Sequence, residues 1–198
     1  MKKAGIIGAM KVEITLLLNA MRVSGEVIEK TIGKNTFYEG QIAGCNVILV
    51  QCGIGKVNAA VSAQILVSVF SVDFIINTGI AGSLSSGLQV LDIVISTDTL
   101  YHDFDVTGFG YPDCTIPGMD TSIFLADKHL IELAVKAYQS GGFKQTITTG
   151  RIATGDIFVA SKNIKNAIIK KCKPLCVEME GAAVAHTAFL NNIPFVII

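Results

Sequence analysis

Apolar positions along the chain alternate between short unbroken runs and stretches with helical spacing. Ala4–Ala9 is such a run, with Gly8 near its end, and predicts a short buried strand. Met10–Met21 follows, with Ile14, Leu17, Leu18 and Met21 on one face of a helix. Three extended segments come next, Glu26–Ile32, Thr36–Ile42 and Asn46–Cys52, punctuated by Gly33, Gly40 and Gly44. Gly55 opens a second helix that carries Val57, Ala60, Ala63, Leu66, Val67 and Phe70. Asp73–Thr78 predicts a strand, Gly79-Ile80-Ala81-Gly82 a tight turn, and Asp92–Thr97 another strand. Ala126–Gln139 predicts a helix and Gln145–Ala153 a strand. Ser161 is placed to cap a helix over Lys162–Lys171. Leu175–Met179 then reads as a strand, Gly181–Leu190 as a helix and Pro194–Ile198 as a last strand.

Strands that are apolar throughout and alternate with helices need cover on both faces. The pattern therefore implies one α/β domain over residues 1–198, with a mixed sheet into which the strands between Glu26 and Cys52 insert as hairpins. Leu100–Ser122 reads as loop, yet it holds Phe104, Phe109 and Tyr111 beside Pro112 and Pro117. A long loop rich in aromatics points to function rather than disorder. In such sheets ligands bind at the carboxyl ends of strands. Four segments fall there: Gly8–Glu13, Gly79–Gly82, Thr154–Val159 and Glu178–Glu180.

Only 16% of residues are charged while 51% are hydrophobic, against roughly 25% charged in an average soluble domain. A surface so poor in charge implies a subunit interface. The 16 basic and 16 acidic residues cancel, which argues against a nucleic-acid partner. Lys170, Lys171 and Lys173 read as a solvated helix end. The five cysteines include no CxxC pair, so neither a disulfide nor a metal site is implied, and the reading is a reducing cytoplasm. Cys45 and Cys52 sit in apolar text as small hydrophobes. Lys11 and Glu13 interrupt the first apolar run too early for a signal peptide, and no stretch reaches the ~20 apolar residues of a membrane span.

Glu13 lies in the opening turn of a helix. On position alone it reads as a solvent-facing acid favoured by the helix dipole; the alternative is a carboxylate that holds and deprotonates a water. Glu178 and Glu180 end an apolar strand, where alternation puts both acids on one side. An acid facing a core needs a partner, and a carboxylate suits the hydroxyls of a ribose or positive charge growing on a sugar. The glycines of Gly79–Gly82 allow close backbone approach, but they also suit an ordinary βα turn. No GxGxxG or Walker loop occurs, and no cofactor is implied. His102, His129 and His186 lack metal spacing; His102 alone, beside the long loop, is a minor candidate for a polar role.

Taken together, the motifs resemble the 5′-methylthioadenosine/S-adenosylhomocysteine nucleosidases. They are Gly5–Met10 with Glu13, Cys52–Val57, Ile76–Gly82, Tyr101–Asp103 through Asp105–Tyr111, Thr154–Asp156 and Val177–Glu180, in family order over nearly the whole chain. The resemblance implies a nucleoside phosphorylase-like fold: a three-layer sandwich with a central mixed sheet flanked by helices. It implies a homodimer acting on a small-molecule nucleoside, in which Glu13 positions and activates the water. Glu180 would grip the ribose hydroxyls with Met179 packed on the sugar, and Phe158 and Val159 would hold adenine. Ala81 and Gly82 would line the sugar and base region, and Met10, Ile54 and Phe109 the thioalkyl pocket. The loop Phe109–Pro117 would reach into the partner subunit's site. The resemblance also puts the acid that protonates adenine, an aspartate in a Ser-Asp pair, a few residues beyond Ile198. A polypeptide ending at Ile198 is expected to show negligible hydrolysis. The competing readings are a nucleoside-binding protein without catalysis and a phosphorolytic relative.

Overall fold

In the computed structural model, which describes residues 2–198, the first apolar run forms β1 (Lys3–Gly8), buried over most of its length. It is buried because it has neighbours on both sides. It pairs in parallel with β4 (Cys45–Gln51) on one edge and β5 (Phe74–Asn77) on the other, and β11 (Phe195–Ile197) adds in parallel to β5. From β4 the sheet continues antiparallel through β3 (Asn35–Ile42) and β2 (Ile28–Ile32). The clustered strands thus extend one edge of this six-stranded sheet as a meander.

A second sheet of five strands contains β6 (Gly82–Ser83), β10 (Cys176–Glu178), β9 (Ile147–Thr154), β7 (Ile93–Tyr101) and β8 (Phe124–Leu125), in that order. Its three inner strands are parallel and its two short edges antiparallel. The sheets meet where β11 passes β7. The Ile197 N–H donates to the Ser96 hydroxyl at 2.9 Å, in place of a backbone ladder. Asp127 N–H donates to Phe195 C=O at 2.9 Å and Ala126 N–H to Thr97 C=O at 3.0 Å alongside it. The expected mixed sheet is therefore two hydrogen-bonded sheets joined at this seam.

Five helices cover the sheets: α1 (Lys11–Ser24), α2 (Lys56–Ser68), α3 (Lys128–Ser140), α4 (Lys162–Cys172) and α5 (Gly181–Leu190). Ile14 and Met21 of α1 are buried, with Leu17 and Leu18 packed beside them, as the spacing requires. Ala182, Ala183, Val184, Ala185 and Ala188 are all buried, the mark of a helix that is apolar all round and lies inside. The aspartate before α3, Asp127, accepts from Leu130 N–H at 2.9 Å. Ser161 occupies the corresponding position before α4 but makes no side-chain cap.

Three expectations need correction. The strand foreseen to stop at Thr97 runs on to Tyr101. The polar Asp98 interrupts the apolar run, but Arg151 on β9 pairs with it, and a register irregularity between Ser96 and Thr99 keeps the later residues buried. Cys45 is exposed, because it begins β4 beside the turn that joins it to β3, whereas Cys52 is buried. Lys171 is not merely solvated: its ammonium lies 3.3 Å from the Asp113 carboxylate and reaches the His102 carbonyl.

Candidate active site

Glu13 sits in the first turn of α1, where unpaired backbone N–H groups converge. Its Oε2 accepts from the N–H groups of Ala9 at 2.7 Å and Met10 at 2.9 Å, and its Oε1 from Ile80 N–H at 3.1 Å. The carboxylate is thus stapled to the turn that follows β5. Space is tight there: a Cβ on Gly79 would lie 3.0 Å from Glu13 Oε1. Gly8 is more crowded still, since a Cβ would stand 2.7 Å from Ile14 Cγ2.

Glu178 and Glu180 do not share a strand face. β10 ends at Glu178, and Glu180 stands beyond it as the residue that precedes α5. The Glu178 Oε2 accepts from the N–H groups of Glu180 at 2.7 Å and Gly181 at 2.6 Å, while the Thr154 hydroxyl donates to Oε1. Thr154 Oγ1 in turn accepts from Ala182 N–H at 2.7 Å. Glu178 therefore caps α5. The residue keeps some accessible surface, but its carboxyl group is enclosed, and loss of water pushes its pKa up to about 7. The Glu180 side chain turns toward the loop after β4, where Oε1 accepts from Gly55 N–H at 2.6 Å. Gly55 has φ +99°, which disfavours any residue with a side chain. Burial raises the Glu180 pKa, and the charges of Glu13 and Asp156 add to the rise.

Glu13, Glu178 and Glu180 all line one cavity of about 670 Å³, together with Ala9, Asn77, the turn Thr78–Ala81 and Ile198. Carboxylates from both sheets thus face one space at the carboxyl ends of the parallel strands.

The chain matches the phosphorylase superfamily over residues 3–198. It is 41% identical to the 5′-methylthioadenosine/S-adenosylhomocysteine nucleosidase of Actinobacillus succinogenes, over 99% of this chain and 83% of that one. The family is settled by that match. This chain belongs to the 5′-methylthioadenosine/S-adenosylhomocysteine nucleosidases. The nucleosidase of Neisseria meningitidis, solved in complex with methylthio-immucillin-A, superimposes with a TM-score of 0.94 at 41% identity, over 100% of this chain and 84% of that one. The nucleosidase of Colwellia psychrerythraea, solved in complex with adenine, gives 0.93 at 36% identity, over 99% and 80%.

Of the site residues expected for a nucleosidase, Glu13, Ala81 and Glu180 line the cavity. Gly82 begins β6 and pairs with Val177. Met10 and Met179 are half-buried, Met10 against the main core. Val159 packs on the cluster around Leu84 and Leu100. Ile54, Phe109 and Phe158 stand in solvent at 54%, 85% and 84% exposure. His102 is buried, and its Nε2 has no hydrogen-bond partner among the described residues. Among those residues no group of His, Cys, Asp or Glu is arranged to hold a metal ion, and no helix is long and apolar enough to cross a membrane.

Sequence reasoning missed the charges behind the rim. Lys56, the first residue of α2, places its ammonium 2.6 Å from Asp103 Oδ2 and 3.7 Å from Asp156 Oδ2. Burial would raise the Asp103 carboxyl, but the Lys56 hydrogen bond and charge hold it below the usual carboxylate range. The three residues come from separate parts of the chain, each inside a family motif (Cys52–Val57, Tyr101–Asp103 and Thr154–Asp156), but nothing in the motifs says that they meet.

Proposed function

We propose that Glu13 and Glu180 are the water holder and the ribose clamp of a hydrolase. It cuts the N-glycosidic bond of 5′-methylthioadenosine and S-adenosylhomocysteine, releasing adenine and a thio-substituted ribose. The supporting observation is how these carboxylates spend their lone pairs. A carboxylate offers about four acceptor sites. Backbone N–H groups take three on Glu13, in fixed directions, leaving a site to accept a proton from one water. Gly55 N–H takes one on Glu180, leaving room for two ribose hydroxyls.

The chemistry follows. Adenine leaves readily only when protonated at N7, and the sugar becomes oxocarbenium-like before water adds. Glu180, bound to the hydroxyls, stabilises that cation across a short distance. Glu13 holds the water and takes its proton as the C1′–O bond forms. Phe158 and Val159 hold the base, with Met179 against the sugar, Ala81 and Gly82 along the sugar and base, and Met10, Ile54 and Phe109 around the thioalkyl group. The family resemblance assigns the proton on N7 to an aspartate a few residues beyond Ile198.

A phosphorolytic reading is disfavoured because both arginines are committed elsewhere. Arg151 holds Asp98 and the Cys172 carbonyl, and Arg22 lies beside Glu29. A homodimer is supported by the scarcity of charge and by the exposure of Phe109 and Phe158. Cytoplasmic placement and a role in methionine salvage accord with the free thiols and the thioether substrate.

In the protein that carries that aspartate, adenine release from methylthioadenosine should proceed in phosphate-free buffer. Glu13→Gln should lower turnover by about 10²–10⁴-fold while calorimetry still detects nucleoside binding. Strict phosphate dependence, or near-normal turnover by Glu13→Gln, would overturn the assignment.

A further inference from the structure

Lys56 lies outside the cavity, yet it joins three loops, and the first of them meets the cavity residue Glu180 through Gly55 N–H. The loop after β4 carries Gly53 and Gly55, both with positive φ, a conformation that favours glycine. Its last peptide is fixed from the far side, where Lys56 N–H donates to Asp156 Oδ1 at 2.9 Å. The Asp156 N–H donates to Asp103 Oδ2 at 2.9 Å, the same oxygen that meets the Lys56 ammonium. That ammonium also lies 5.4 Å from the centroid of the Tyr101 ring. The packing is tight: a Cβ on Gly55 would stand 3.1 Å from Asp156 Oδ1, and one on Gly155 would stand 2.4 Å from His102 Nε2. Asp103 Oδ1 is buried without a partner among the described residues, and Lys56 is the one cation within ion-pair distance of Asp103 there.

We propose that Lys56 is a positioning residue for the nucleoside site: by joining Asp103 to Asp156 it fixes both the Gly55 N–H that meets Glu180 and the segment 154–159 that carries Phe158 and Val159. The inference rests on the ribose and adenine roles given above to Glu180, Phe158 and Val159. A plain structural ion pair would stabilise the fold as a whole. This one acts locally, because both of its ends are the last fixed points before residues that face the ligand. Removing the cation leaves Asp156 without its charge partner and so weakens its hold on the Lys56 N–H beside Gly55, and a clamp misplaced by about 1 Å loses about 10²-fold in efficiency.

The test uses Lys56→Met, Lys56→Arg and Asp156→Ala. Asp156 is half-exposed, so its variant is expected to fold even if Lys56→Met does not, and it removes the acceptor for Lys56 N–H. Amide hydrogen exchange reads the clamp without any ligand. Exchange should quicken at least about tenfold at Gly55 and across 154–159 in Lys56→Met and Asp156→Ala, with β1 and β4 unchanged. Methylthioadenosine should bind about 10- to 100-fold more weakly to the same variants, and Lys56→Arg should recover most of both losses. Local exchange and affinity within about twofold of the parent in folded Lys56→Met or in Asp156→Ala would overturn the proposal, as would acceleration spread evenly over all strands. A parent that binds neither methylthioadenosine nor adenine, with exchange still responding locally, would refute the nucleoside reading and leave the clamp standing.

Discussion

Replacing Glu178 by glutamine isolates the cost of burying an acid at the start of α5. The native carboxyl titrates at about 7, well above the ordinary glutamate value of 4.5. Below pH 4.5 the group is protonated in both the folded and the unfolded chain and costs nothing. As pH rises from 4.5 toward 7, the unfolded chain ionises first and the protein loses stability. Above pH 7 the loss is complete and constant. At 1.36 kcal/mol per pH unit the full penalty is roughly 3 kcal/mol. Glutamine mimics the protonated acid: its carbonyl can accept from the Glu180 and Gly181 N–H groups, and its amide can donate to Thr154 Oγ1. Urea unfolding at pH 5 and pH 8 measures the difference. Stability of the parent should fall between the two by about 2–3 kcal/mol more than that of Glu178→Gln. Parallel pH dependences for the two proteins would show that Glu178 is not an enclosed acid, and the account of α5 would fail.

Other predictions concern groups around the same cavity. Gly79 lacks positive φ, so Gly79→Ala strains only its neighbour; its Cβ meets Glu13 Oε1 at 3.0 Å, and turnover should drop about tenfold with Tm nearly unchanged. Activity equal to the parent's would show that Glu13 has slack. Thr154→Val deletes a hydroxyl that joins Glu178 to Ala182 N–H, and calorimetry should show a loss of about 2–4 kcal/mol; a loss under about 0.5 kcal/mol would contradict that hub. Cys45 alone among the five thiols is exposed, and burial pushes Cys52 and Cys176 up to about 12. A thiol reagent should therefore label one cysteine quickly at pH 8 and the other four only on unfolding.

Much of the fold was legible because each strand carries its own pattern. The run Ala4–Ala9 and the face of Ile14 and Met21 needed no outside information, and their burial follows from the sheet order. The sequence pattern ends β7 too early because Asp98 looks like a strand end until Arg151 is brought beside it from 53 positions away. Glu13 and Glu180 follow strand ends and line the same cavity, but on position alone Glu13 reads as a solvent-facing acid. The spacing of Glu178 and Glu180 misled, because strand alternation stops at Glu178 and the helix dictates the rest. Lys56, Asp103 and Asp156 were invisible as a group: each is an ordinary charge in its own segment, and 47 and 100 positions separate Lys56 from the two acids.

The seam between the sheets gives binding a second meaning. Glu13 and the turn at Gly79 ride on the first sheet, whereas Glu180 and the segment 154–159 ride on the second, and a serine hydroxyl joins the two where backbone pairing gives out. A nucleoside held by Glu13 and Glu180 as proposed would tie one sheet to the other from inside. Its affinity then adds to the cohesion of the whole molecule rather than to the order of one loop. Tight inhibitors of this site should therefore double as chaperones, rescuing variants weakened at the seam in proportion to how firmly they grip both carboxylates.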